Sequence, residues 1–172
     1  SFPYEPRNEE TAIIDMLVVF DTNLNEEDRD GMTVEEFVDH QVYLLNHMYT
    51  WSRTYTLIRV TDIKKVDVAA GDLYRQYDAF FNGRYEFNGL DDWQREAGAD
   101  IAFLFKKRPE DGIACGVASL DATRGMDKSR GITQCFHNST FQENSKTRYY
   151  ERAHETFAHE VGHLLGAQHQ YE

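Results

Sequence analysis

The chain has 172 residues, 41% of them hydrophobic and 13% aromatic, which is enough for one domain with a sizeable core. Its net charge of −12 disfavours nucleic acid and anionic membranes as partners, because an acidic surface repels polyanions. No apolar run approaches ~20 residues, so no transmembrane helix is expected, and Ser1-Phe2-Pro3-Tyr4-Glu5-Pro6 reads as the start of a processed chain, not as a positively charged leader.

In chain order, Thr11 to Phe20 is apolar and β-branched and predicts a buried strand. Asp21 to Gly31 is a polar, acidic loop. Thr33-Val34-Glu35-Glu36 has the form of a capping box, and the apolar period from Val34 to Met48 carries a helix to about Trp51. Tyr55 to Val68 alternates and predicts a second strand. Leu73 to Phe81 reads as helical, and Leu90 to Ala97 as a short helix behind the Asn88-Gly89 turn, anchored in the core by Trp93. Ile101 to Phe105 is short and wholly apolar, as a central strand is. Ile113 to Leu120 predicts a fourth strand, whose Gly116 suits close backbone approach. A polar loop from Asp121 to Arg130 follows, then a fifth strand, Ile132 to Phe136. Thr147 to Leu165 is a long helix with Phe157, Val161, Leu164 and Leu165 facing inward. No repeat or linker divides the chain, and the element order fits one α/β domain over residues 1–172.

That last helix carries His159-Glu160-Val161-Gly162-His163-Leu164-Leu165-Gly166-Ala167-Gln168-His169, the pattern H-E-x-x-H-x-x-G-x-x-H. Residues four apart share a helix face, so His159 and His163 can grip one metal ion. Gly166 can take the left-handed conformation of a helix C-cap. The chain then turns and His169 can return as a third ligand. Three protein ligands leave an open fourth position, the catalytic arrangement for Zn2+. Glu160, beside the first ligand, is placed to act as general base toward a water.

These eleven residues resemble the metzincin clan of zinc endopeptidases. The strand Ile13-Ile14-Asp15-Met16-Leu17-Val18-Val19-Phe20-Asp21 and the segment Gly112-Ile113-Ala114-Cys115-Gly116-Val117-Ala118 resemble the reprolysin or adamalysin family within it. The resemblance implies a zincin-like fold: a twisted, mostly parallel five-stranded sheet, one antiparallel edge strand and an active-site helix. It implies hydrolysis of peptide bonds, with Glu160 catalytic and His159, His163 and His169 on zinc. It also implies that Gly116, Val117 and Ala118 bind an extended protein or peptide substrate by strand addition.

The same resemblance implies a C-terminal subdomain with a methionine turn beneath the zinc. Methionine occurs at 16, 32, 48 and 126 and not after His169, so this subdomain is expected to be truncated or absent. Residues 1–172 then form an upper subdomain, whose partners include the remaining C-terminal portion or other chains. The alternatives to an active endopeptidase are a catalytically incompetent binding or assembly subunit, and one piece of a cleaved two-chain protease.

A secreted, extracellular setting is suggested by the sequon Asn138-Ser139-Thr140, an N-glycosylation acceptor, and by Cys115 and Cys135. The two cysteines form a disulfide with each other, remain buried thiols, or, as the resemblance implies, pair with partners further along; a mutual bond would add ~3 kcal/mol. Asp91, Asp92 and Glu96, and the carboxylates between Asn25 and Asp30, offer oxygens of the type that hold Ca2+ in some relatives, but no D-x-D-x-D-G pattern supports calcium. His154 falls on another face of the helix, Glu155 is spaced to receive a bond from a ligand histidine, and His40, His47 and His137 lack metal spacing.

Overall fold

The computed structural model describes residues 11–109, 114–119, 129–136 and 153–167, with the backbone alone at 153–155. Strand β1 (Ala12–Asp21) leads to helix α1 (Val34–Trp51), then β2 (Thr56–Val66), α2 (Leu73–Phe81), α3 (Leu90–Glu96), β3 (Ile101–Phe105), β4 (Gly116–Ala118), β5 (Arg130–Thr133) and α4 (Ala153–Leu164). The capping box forms as the sequence predicts: Thr33 accepts from the Glu36 backbone N–H, and the Glu36 carboxylate accepts from the Thr33 N–H.

The sheet has five strands in the order β2-β1-β3-β5-β4. The pairs β1–β2, β1–β3 and β3–β5 are parallel, and β4 runs antiparallel to β5 at one edge. This is the zincin-like α/β arrangement.

Period-two alternation divides the central strands between two cores. Met16, Val18, Phe20, Ile101, Phe103 and Phe105 face α1 and α4. Leu17, Val19, Ala102 and Leu104 face α2 and α3. Both faces are covered, which is why β3 is apolar along its whole length.

Helix α4 is seated by aromatic packing and one buried hydrogen bond. The Phe157 ring meets Phe103 and Phe105 edge-on, with centroids 4.9 and 5.1 Å apart. The Tyr49 hydroxyl of α1 donates to the Ala158 carbonyl at 3.0 Å, and burial pushes that phenol above its ordinary range.

Three expectations are corrected. Arg130, read as loop, opens β5 and is fully buried, so this strand starts two residues earlier and ends at Thr133. Its guanidinium donates to Phe81 O at 2.7 Å and pairs with Asp91, and these partners on α2 and α3 make burial of a charge tolerable. Leu165 is 38% exposed and not inward, because α4 ends at Leu164 and the chain turns away. Leu90 is the fully buried anchor of α3, and Trp93, expected to be the anchor, is half-buried against the same core with its ring over Gly89, where a Cβ would meet it at 2.7 Å.

Truncation at the aromatic seat should be costly. Phe157→Ala is expected to lower unfolding free energy by ~3–5 kcal/mol, while Leu165→Ala should change it by less than ~1 kcal/mol. Urea denaturation of the two variants checks the contrast.

Candidate active site

Helix α4 presents His159, Glu160 and His163 on adjoining parts of one surface. His159 is exposed, whereas Glu160 and His163 are buried. The two imidazoles stand edge-to-face with centroids 4.4 Å apart, and their Nε2 atoms are 2.9 Å apart. Nδ1 of His163 lies 2.8 Å from the Ala167 carbonyl. A carbonyl only accepts, so Nδ1 carries the proton and Nε2 keeps its lone pair for a ligand. The turn that supplies this carbonyl depends on Gly166, whose φ is +95°, a left-handed conformation strained for other residues.

A tetrahedral Zn2+ with bonds of ~2.0–2.1 Å holds two nitrogens about 3.3 Å apart. The histidine pair therefore fits zinc after opening by about 0.4 Å. Among the described residues no further side chain joins the pair to complete a three-ligand cluster. His169, the predicted third ligand, lies outside the described residues, as do Asn138, His137 and the side chains of His154 and Glu155. The predicted fourth strand is described from 114 to 119, and Ile113 and Leu120 also fall outside.

Glu160 packs beneath the edge strand. A Cβ placed on Gly116 would stand 2.6 Å from Glu160 Cγ, 3.0 Å from its Oε1 and 3.0 Å from Ile132 O. Only glycine leaves room there for the carboxylate. Burial pushes the Glu160 carboxyl up to about 7, against the opposing effect of His163. A carboxylate with that value can both take and return a proton near neutral pH.

A disulfide joins Cys115, just before β4, to Cys135, just after β5. With the bonds from Gln134 N to Cys115 O and from Ser119 N to Arg130 O, it ties both ends of β4 to its neighbour. Tyr77 of α2 belongs to no sequence motif. Its hydroxyl shares a hydrogen bond with Ser119 within electrostatic reach of Glu160, and burial pushes the phenol up. No local spacing signals this residue, because 83 positions separate it from Glu160 in the chain. His47 stacks on Tyr43 at the surface of α1, with centroids 6.2 Å apart.

The profile of the reprolysin-like M12B metallopeptidases matches residues 36–170. The chain belongs to this family. Among solved structures, a chain in a chaperone-substrate complex aligns with a TM-score of 0.68 and 18% identity, covering 95% of this reprolysin-like chain and 25% of its own length. Metalloproteinase-II from Bacteroides fragilis aligns with a TM-score of 0.57 and 20% identity, covering 94% and 44%. At such identities the likeness is one of fold, and the chain spans less than half the length of either. No curated protein matches it.

Two outcomes follow from Glu160. A carboxyl raised from 4.5 to about 7 favours the protonated folded state, so its contribution to stability is full below about pH 4.5 and is lost as pH rises through 7. Denaturation of the EDTA-treated protein between pH 5 and 8 should show Glu160→Gln abolishing a loss of the order of 2–3 kcal/mol. Gly116→Ala should force the carboxylate aside and cost ~1–3 kcal/mol in the same assay.

Proposed function

We propose that this reprolysin-like chain is the substrate-facing upper part of a zinc-dependent endopeptidase, a single metalloprotease-like unit over residues 1–172. The observation that carries the reading is the His159–His163 pair, Nε2 to Nε2 at 2.9 Å, beside a carboxylate buried under an edge strand. His159 and His163, with His169, would hold the metal. When bound, zinc supplies a Lewis acid that polarises a peptide carbonyl and lowers the pKa of water toward ~7.

The protein's own groups do the rest. Glu160 accepts a proton from water at a carboxylate oxygen and returns it to the leaving amine nitrogen. The Ala167 carbonyl holds the His163 ring and its tautomer. Gly116, Val117 and Ala118 lie on the outer strand of the sheet, so the far side of β4 is the side on which an extended peptide can add as a further strand. The Cys115–Cys135 bond supports an extracellular setting, in which the Asn138 sequon would be glycosylated. No helix among the described residues is long and apolar enough to cross a membrane.

The test is cleavage of a peptide library by the zinc-loaded protein. Glu160→Gln should retain one zinc per chain by elemental analysis while turnover falls at least ~100-fold. His163→Ala should lose the metal. Undiminished turnover in Glu160→Gln would overturn the mechanism, and zinc binding without turnover in the wild type would favour a binding subunit.

A further inference from the structure

A second site lies where the parallel strands end. The segments that follow β1, β2 and β3 converge at the carboxyl ends of their strands, the position where open α/β sheets hold ligands. A cavity of about 400 Å³ opens among them, a size suited to a small molecule, and it shares no residue with the surroundings of Glu160.

Lys106 marks it. This residue follows β3 directly, lines the cavity and is 3% exposed. An ammonium has three donors. One goes to the Lys107 carbonyl at 3.0 Å, and among the described residues no ion pair and no other hydrogen bond engages the group. The neighbouring Asp21 carboxylate is taken up elsewhere. Its Oδ1 accepts from the Asn23 backbone N–H at 2.9 Å and side-chain amide at 2.8 Å, and its Oδ2 accepts from the Lys107 N–H at 3.0 Å. The Lys107 ammonium pairs with Asp28 at 2.9 Å. A buried ammonium with two donors that no described residue engages is costly, and burial does lower the Lys106 pKa, opposed by the charges of Asp21 and Asp72. Beside it, Val68, Ala69 and Ala70 form an apolar wall.

We propose that this cavity binds a small carboxylate, its two oxygens on the Lys106 ammonium and its short apolar body along Val68, Ala69 and Ala70. Two unused donors match the two oxygens of a carboxylate. A phosphate has more acceptor oxygens than the two Lys106 donors that no described residue engages, and it has no apolar body to lie along Val68, Ala69 and Ala70. The carboxylate can come from a free short-chain acid or from the end of a peptide.

Titration of the 15N-labelled protein, followed by amide NMR, separates these cases. The probes are butyrate, N-acetylalanine and inorganic phosphate. Butyrate, N-acetylalanine or both should give saturable shifts at the Val68, Ala69 and Ala70 amides, and which of the two binds more tightly identifies the source. Lys106→Met should weaken that binding at least ten-fold. Ala70→Trp, a change at an exposed part of the wall, should block it while leaving the lysine intact. Absence of saturable shifts with both acids, wild-type affinity in either variant, or phosphate binding as tight as the acids would overturn the proposal.

Discussion

The site depends on how α4 is seated. Phe157 enters a cluster of Phe103 and Phe105 in the middle of the sheet, and Tyr49 clamps the next carbonyl, that of Ala158. Those two neighbouring residues determine the rotation of the helix about its axis. Once it is set, the helical period brings His159 and His163 to one face with Glu160 beside them, His163 and Glu160 buried and His159 exposed. The histidine face of α4 is thus a consequence of core packing one turn away from it.

The edge strand imposes the complementary constraint. Glu160 has space because β4 carries glycine at 116, and β4 stays against β5 through three short pairings and a disulfide that closes them. Burial under that strand raises the carboxyl to about 7, so one contact accounts for both the position of the group and its protonation. The edge strand is therefore a wall over the carboxylate as well as the outer strand of the sheet. Arg130 contributes from the opposite core by tying β5 to α2 and α3 through Phe81 O and Asp91.

Most of the fold was legible because its signals are local. The capping box at Thr33, the apolar run of β3 and the alternation in β1 each follow from the spacing of a few neighbouring residues. The errors came where a distant partner overrides local character. Arg130 looks like loop until its acceptors on α2 and α3 are known, and Leu165 looks like core until the chain turns at Gly166. The cavity beside Lys106 left no local signal either, since three separate stretches of the chain, 21–23, 67–71 and 106–109, supply its lining.

By itself the sequence determined the family resemblance and the residues that carry it: an imidazole pair at helical spacing, a carboxylate next to the first, and a glycine where the helix must end. These depend on a period of 3.6 residues and on the chemistry of single side chains. Only the tertiary structure decided that Glu160 is buried under Gly116, that Ala167 orients His163, that Tyr77 stands nearby, and that Lys106 is enclosed beside a cavity. Each of these is set by which surfaces meet when the sheet is covered on both faces, and residues far apart in the chain supply those surfaces.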